Sequence, residues 1–227
     1  MRYKAILFDN DDTLMDFQTG NRNALNRLMD ELGYCDPDRY EQYEAVNREC
    51  WAELEQGRLK QDRLRLERFT RFFDRYPVPG DAALAAERFV ALLGEQSILL
   101  PHALEVVRAI SEKLPVAIVT NGMTTIQKSR FARSPLTAYV ADVVISEEVG
   151  ASKPRPELFW LALQRLGTAP RDALMIGDGV GSDIRGANAA GIDACWYNPH
   201  GAALPEGVHA EYVISDIRQC VEIALKN

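Results

Sequence analysis

The sequence predicts an α/β fold in which a parallel sheet is covered by helices on both faces. Six short segments are apolar almost throughout rather than alternating, which is typical of strands buried on both sides. They lie at 5–9, 116–121, 140–146, 173–178, 193–198 and 212–215. Helical patterns separate or follow the later segments, at 103–113, 124–133, 156–166, 183–190 and 216–226. Alternating strands and helices favour right-handed crossovers and a parallel sheet.

A long helical insertion separates the first two predicted strands. Residues 18–97 show only helical patterns, and the segment is far longer than an ordinary connection. We therefore expect an all-helical domain at 18–97, inserted into an α/β domain formed by residues 1–17 and 98–227. Glycine and proline interrupt the helical pattern at 14–20 and 94–101, where we expect the hinges.

Composition and charge narrow the classes of function. The 227 residues carry a formal net charge of −7, which argues against binding to nucleic acid polymers or to anionic membranes. The four cysteines show no C-x-x-C spacing, no apolar run is long enough for a membrane helix, and no signal peptide is evident. We expect a cytosolic protein, either a monomer or a homodimer.

Polar residues collect where the predicted strands end. The segment DNDDT at 9–13 follows the first strand, and its acids repel one another unless a cation lies among them. In a parallel sheet, ligands bind beyond the carboxyl ends of the strands. The candidate residues at these ends are Asp9, Asp11, Thr120, Asn121, Lys153, Asp178 and Asp183.

Each of these signals has an ordinary structural explanation. A D-x-D at a strand end is often a solvated turn, and Thr120 and Asn121 are suited to the start of a helix. Lys153 is compatible with an exposed lysine, and Asp183 with an acid that complements a helix dipole. Their occurrence together, in separate loops at one edge, is what favours a functional site.

The four motifs resemble those of the haloacid dehalogenase superfamily. That superfamily has D-x-D-x-T, a strand-terminal Ser or Thr, a Lys, and G-D-x-x-x-D or a close variant. Here they occur as DNDDT (9–13), Thr120, Lys153 and GDGVGSD (177–183). The resemblance covers the whole chain and implies a Rossmann-like parallel sheet with an inserted helical cap. Asp12 stands where glycine is usual, and we interpret it as a turn acid that caps nearby backbone.

The resemblance also implies a catalytic chemistry. Asp9 is expected to attack phosphorus as the nucleophile, and Asp11 to protonate the leaving oxygen and then activate water. Asp11 must then hold a proton while Asp9 is ionised, so its surroundings are expected to favour the neutral form.

The same resemblance implies Mg²⁺ as the missing cation. The carboxylates of Asp9 and Asp178 and the backbone carbonyl of Asp11 are expected to bind it, with waters completing an octahedron. Asp183 is expected to act from outside this set or through water. Thr120, Lys153 and the backbone N–H of Asn121 are expected to bind the phosphoryl oxygens.

The substrate is less firmly indicated. Asp11 favours phosphoryl transfer over dehalogenation, because a departing halide needs no proton. Segments such as YEAVNRECW (43–51) resemble the pyrimidine nucleotidase branch, whose members act on nucleoside monophosphates, including non-canonical ones. In a helix Asn47 and Trp51 share a face, so the indole could stack on a base while the amide reads its edge. The alternative is that Trp51 packs in the cap core and Asn47 is solvated.

Other functions remain open at this point. A phosphoglycolate or sugar-phosphate phosphatase, or a mutase similar to β-phosphoglucomutase, would share the four motifs and a cap. A response-regulator receiver domain also groups acids, a Thr and a Lys around Mg²⁺, but the chain length, the insertion and Asp11 argue against it. A non-catalytic relative would be expected to lack one of the motif acids, and all are present.

Overall fold

The computed structural model describes residues 1–226, and the chain divides into two compact units. The sheet unit comprises Met1–Phe17 and the chain from Ser97 onward, and the helical unit comprises Gln18–Gln96. Within the described residues, no helix is long and apolar enough to cross a membrane.

A parallel sheet of six strands forms the sheet unit, and it confirms the predicted α/β fold. Within the described residues the strands are β1 (Ala5–Phe8), β2 (Val116–Thr120), β3 (Asp142–Ile145), β4 (Ala173–Gly177), β5 (Asp193–Tyr197) and β6 (Tyr212–Ile214). Their order is β3-β2-β1-β4-β5-β6, and every neighbouring pair is parallel. Each strand is slightly shorter than predicted, because the polar residues at its carboxyl end leave the ladder.

The central strands β1, β2 and β4 are buried on both faces, as their continuous apolar sequences predict, whereas Val213 of the edge strand β6 is exposed. Ile6 and Phe8 of β1 pack into the core on one side of the sheet, and Leu7 packs into the core on the other. The helices of the sheet unit are α5 (Ala103–Ser111), α6 (Thr124–Ala132), α7 (Ser146–Val149), α8 (Glu157–Leu166), α9 (Arg185–Ala190) and α10 (Gln219–Leu225). Helices α5 and α10 cover the first core, and α8 and α9 cover the second.

The helical unit contains four helices and, among its described residues, no strand. They are α1 (Phe17–Leu32), α2 (Arg39–Glu55), α3 (Gln61–Arg75) and α4 (Ala82–Gly94), of which α1 begins at the last residue of the preceding unit. Buried aromatic rings from α2, α3 and α4 form its centre. The Tyr43 ring lies 5.3 Å from that of Phe69 and 5.6 Å from that of Phe89, between ring centroids. This apolar centre gives the unit a core of its own.

The order of the strands reverses direction at β1, in the middle of the sheet. From β1 the chain proceeds to β2 and β3 on one side and later to β4, β5 and β6 on the other. Phe8 of β1 lies between Ile118 of β2 and Ile176 of β4 in register. Such a reversal opens a crevice at the carboxyl ends of the strands. The residues that follow β1, β2 and β4 therefore meet there.

Candidate active site

Three carboxylates meet beyond the central strands. Asp9 directly follows β1, Asp178 follows β4, and Asp183 lies in a π-helical turn at Val180–Ile184. One carboxylate oxygen from each lies within 4.8 Å of those of the other two. Asp9 and Asp183 are buried, with 6% and 1% of their surface exposed. An all-oxygen, strongly anionic set of this kind suits a hard divalent cation.

Close backbone packing at two glycines and hydrogen bonds with Thr13 hold the acids in place. A Cβ atom at Gly177 would lie 2.4 Å from Asp183 Oδ2, so only glycine lets the turn carry Asp183 this close to β4. The backbone N–H of Gly179 donates to the same oxygen at 2.8 Å. Thr13, the last residue of DNDDT, donates its hydroxyl to Asp178 Oδ1 at 3.2 Å. The Thr13 oxygen also accepts from the Asp178 backbone N–H at 3.1 Å. The two glycines thus position Asp183 within the fourth motif. Thr13 links the first motif to the fourth.

Lys153 supplies positive charge to this cluster. Its buried Nζ lies 2.5 Å from Asp9 Oδ1 and 2.7 Å from Asp183 Oδ1, and it donates to the Val119 carbonyl at 2.8 Å. The Asn121 side chain holds the lysine's own backbone: its Nδ2 donates to the Lys153 carbonyl at 3.0 Å, and its Oδ1 accepts from the Lys153 N–H at 2.8 Å. This role of the Asn121 side chain was not predicted from the sequence.

The pKa shifts show how poorly the cluster tolerates its own charge. Burial, with the nearby Asp183 carboxylate, raises the pKa of Asp9 well above its usual range, although Lys153 opposes the shift. Burial and Asp183 also raise the pKa of Asp178 to about 6. Burial alone would lower the pKa of Lys153, but Asp183 and Asp9 outweigh it and raise that pKa. Lys153 therefore compensates only part of the negative charge that the three ionised acids would carry.

Thr120 ends β2 with a hydroxyl that is prepared for a ligand. The residue is fully buried, and its Oγ1 has no hydrogen-bond partner among the residues that the structure describes. A buried hydroxyl without a partner costs free energy, about 1–3 kcal/mol. A bound oxygen atom at this position would recover that cost.

Three side chains contact the Asp11 carboxylate. Buried Arg130 forms an ion pair with Asp11 Oδ1, and Gln127 donates from Nε2 to Asp11 Oδ2 at 2.8 Å. Asn10 donates to Oδ1 at 3.3 Å. A buried guanidinium needs a hydrogen-bonding partner, and Asp11 supplies one. The expectation that Asp11 holds a proton stays a prediction.

Arg130 and Gln127 were missed by the sequence analysis. Both are buried on α6, which also buries Ile126 and Phe131. Their positions three residues apart, on the apolar side of an amphipathic helix, were the available signal.

Asp12 behaves as the sequence predicted. Its Oδ1 accepts from the Phe17 backbone N–H at 3.1 Å, at the first residue of α1. Its φ is +60°, in the left-handed region that favours glycine and that aspartate tolerates better than most residues. The acid therefore caps nearby backbone at a position that otherwise suits glycine.

The two predicted base-binding residues lie in the helical unit, on α2. Trp51 is 42% exposed, so the alternative that it packs in the core of this unit is wrong. Asn47 is half-buried rather than solvated, and it makes long hydrogen bonds of 3.4 Å to Arg68 and to Glu44. Asn47 is thus oriented by its neighbours, and part of Trp51 is accessible to solvent.

Comparison with known proteins gives the family. The model of the haloacid dehalogenase-like hydrolases matches residues 3–191. The chain belongs to this family. It is 34% identical over 229 residues to pyrimidine 5'-nucleotidase PynA of Streptococcus pneumoniae, covering 98% of this chain and 96% of PynA. It is also 32% identical over 230 residues to pyrimidine 5'-nucleotidase YjjG of Escherichia coli, covering 100% of both chains.

A solved structure agrees with this assignment. The HAD-hydrolase YfnB of Bacillus subtilis, crystallised with bound magnesium, superposes with a TM-score of 0.90 and 30% identity, covering 99% of this chain and 100% of that chain. The family and these relatives identify the chain as an enzyme, a hydrolase of the phosphatase and nucleotidase type.

The repulsion in the acid cluster predicts a pH-dependent stability effect. Because the pKa of Asp178 is raised to about 6 in the fold, folding resists its ionisation. Asp178 therefore costs stability as the pH rises from its unfolded pKa near 3.9 to about 6, and that cost persists above pH 6. Without divalent cations, Asp178→Asn is expected to melt at a higher temperature than wild type. The difference should grow between pH 4 and 6 and then level off.

Thermal melts in EDTA across this pH range check the effect. Asp81 is exposed, and its Oδ1 caps the start of α4. Asp81→Asn keeps a capping oxygen, so it is the matched carboxylate control and should melt no higher than wild type. A wild type that is the more stable protein at pH 7.5 would contradict the account of the cluster.

Proposed function

We propose that this protein is a Mg²⁺-dependent phosphomonoesterase that hydrolyses nucleoside 5'-monophosphates, with pyrimidine nucleotides preferred, through an aspartyl-phosphate intermediate. One observation carries the proposal: the buried carboxylates of Asp9 and Asp183 and the half-buried carboxylate of Asp178 lie together at the carboxyl ends of the strands. Lys153 and the unpartnered Thr120 hydroxyl lie at the same edge. The acids suit a cation, and the hydroxyl and lysine suit an anionic ligand.

Mg²⁺ is the cation that the donor set fits best. The carboxylates of Asp9 and Asp178 and the backbone carbonyl of Asp11 would hold it, and Asp183 would act from outside this set or through water. When bound, the ion offsets the repulsion among the acids and between the anionic nucleophile and an anionic phosphate. The raised pKa values of Asp9 and Asp178 support this proposal, because burial and the neighbouring Asp183 carboxylate both disfavour their ionised forms, and a cation would offset that effect.

Asp9 is the proposed nucleophile. One of its carboxylate oxygens attacks phosphorus, the bond from phosphorus to the substrate's ester oxygen breaks, and Asp11 transfers its proton to that oxygen. Water then attacks the phosphorus of the aspartyl phosphate and gives a proton back to Asp11. The bond between phosphorus and Asp9 breaks, and inorganic phosphate leaves. Each turnover thus restores both carboxyl groups.

Thr120, Lys153 and the backbone N–H of Asn121 bind the phosphoryl group in this proposal. The buried Thr120 hydroxyl would donate to one phosphoryl oxygen, which satisfies it. Lys153, fixed through both hydrogen bonds of the Asn121 side chain, would place its charge near another. Donors held in advance at a site that excludes water stabilise a transition state strongly.

The preference for pyrimidine nucleotides rests on the helical unit and the relatives. Trp51 offers an exposed indole, on which a base can stack. Asn47, oriented by Glu44 and Arg68, offers an amide that can read a base edge. PynA and YjjG, which match the chain nearly end to end, are named as pyrimidine 5'-nucleotidases. We expect the enzyme to act in the cytosol, because the proposed substrates, nucleoside monophosphates, occur there.

A substrate panel tests the proposed reaction. Phosphate release with Mg²⁺ is measured from UMP, dUMP, dTMP, AMP, GMP, phosphoglycolate and sugar phosphates. We expect pyrimidine monophosphates to react fastest, and Asp9→Asn and EDTA-treated enzyme to lose at least about 10³-fold, as expected without nucleophile or metal.

The remaining outcomes separate the alternatives. A preference for phosphoglycolate or sugar phosphates would leave the chemistry in place and contradict the nucleotide preference. Isomerisation without phosphate release would indicate a mutase, and an active Asp9→Asn would contradict the nucleophile.

The role of Trp51 is tested by its substitution. Because an indole that stacks on a base contributes only to substrates that have one, Trp51→Ala should raise KM for UMP by about 10-fold, the equivalent of one stacking contact. KM for a small phosphate ester such as p-nitrophenyl phosphate should stay unchanged. Exposed Trp160→Ala, in the sheet unit, is the matched control for loss of an indole. Equal changes in KM for both substrates would contradict a base contact.

A further inference from the structure

The carboxylate of Asp11 is held by side chains outside the four motifs. Oδ1 pairs with Arg130 and accepts from Asn10 Nδ2 at 3.3 Å, and Oδ2 accepts from Gln127 Nε2 at 2.8 Å. A carboxylate has about four lone-pair directions. The donors among the described residues take three of these directions, which fixes the orientation of the carboxylate. The side chain is still 22% exposed, which leaves room for a further partner.

Gln127 is itself held at both ends of its amide. Its Nε2 donates to Asp11, and its Oε1 accepts from Asn10 Nδ2 at 2.8 Å. The residue is 2% exposed, and a Cβ atom at Gly122 would lie 2.8 Å from Gln127 Nε2. The glycine after Asn121 therefore leaves room for this amide. Asn10, Asp11 and Gln127 form a closed set of hydrogen bonds.

Arg130 is 1% exposed and is among the largest fully buried side chains in the described chain. Its guanidinium lies 5.7 Å from the centre of the Phe17 ring, which limits its movement on one side. Burying a cation is costly unless it is paired, and a planar guanidinium pairs in a fixed geometry. A buried cation of this kind is unusual on a surface helix, and its ion pair with Asp11 gives it a place at the site.

We propose that Gln127 and Arg130 are positioning residues for the proton transfer by Asp11. They keep the open side of its carboxyl group directed at the ester oxygen that leaves. In that step the bond between phosphorus and the ester oxygen breaks, the Asp11 proton passes to this oxygen, and the alcohol departs. Asp11 is left as a carboxylate, which can keep its contacts with Arg130 and Gln127. This inference rests on the proposed function.

The proposal has a consequence that a merely structural role lacks. Proton transfer matters for an alcohol, which is a poor leaving group, and hardly at all for p-nitrophenolate, which leaves as a stable anion. Loss of Gln127 or Arg130 should therefore slow the cleavage of alkyl esters selectively. The ratio kcat/KM is the proper measure, because it includes only the steps up to the departure of the alcohol and not the later hydrolysis of the aspartyl phosphate.

The experiment compares kcat/KM for UMP and for p-nitrophenyl phosphate in four variants. Gln127→Met and Arg130→Met should lose about 10- to 100-fold with UMP, a part of what general acid catalysis supplies, and stay within about threefold of wild type with p-nitrophenyl phosphate. Arg130→Lys, which keeps the charge, should recover part of the loss with UMP. Lys128→Met is the matched control on the same helix, because Lys128 is exposed and pairs with Glu148 instead; it should match wild type on both substrates.

The possible outcomes are distinct. Equal losses on both substrates in Gln127→Met, or none on either, would overturn the positioning role. If Arg130→Met fails to fold, which thermal melts would show, Gln127→Met carries the test alone, because it removes hydrogen bonds and no charge. Activity of Asp9→Asn would instead overturn the proposed function, so the two failures can be told apart.

Discussion

Repulsion among three carboxylates at the ends of the central strands is the constraint on which the rest of the site depends. Asp9, Asp178 and Asp183 share a space so small that their oxygens lie within 4.8 Å of one another. Folding holds them there although water, which would screen their charges, is largely excluded. Lys153 compensates only part of the charge. The acid cluster thus lowers the stability of the fold, as expected where function and stability conflict, and a bound cation would offset that cost.

The order of the strands brings the charged groups of the site together. Because β1 lies between β2 and β4, the residues that follow these three strands come from distant parts of the chain and still meet. Thr13 ties the end of β1 to Asp178, and Asn121 ties the end of β2 to the lysine loop. Each tie joins two loops at the site, so the positions of the charged groups are fixed by hydrogen bonds as well as by the sheet.

Much of this could be predicted from the sequence. The continuous apolar segments predicted the parallel sheet, because strands buried on both faces leave no alternation. The strand-terminal acids, Thr120 and Lys153 could be selected because they occur together, in separate loops expected at one edge of the sheet, and match four motifs of one superfamily. The capping role of Asp12 followed from its turn sequence.

Other features depend on tertiary contacts and could not be predicted. Arg130 and Gln127 look like ordinary polar residues of a short helix, since sequence alone does not show that α6 turns them towards Asp11. The pairing of the Asn121 side chain with the Lys153 backbone joins residues far apart in the chain. The exposure of Trp51 depends on how α2 packs against α3, which helical periodicity alone leaves open.

The most direct test of the central claim is calorimetric titration of the protein with Mg²⁺ at pH 7.5, for wild type and for Asp178→Ala. If the acids form a cation site, wild type binds one ion per chain, and the variant, with one carboxylate fewer, binds at least about 10-fold more weakly. Absence of binding to wild type, or equal affinity in the variant, would contradict the account that these carboxylates are held together for a metal.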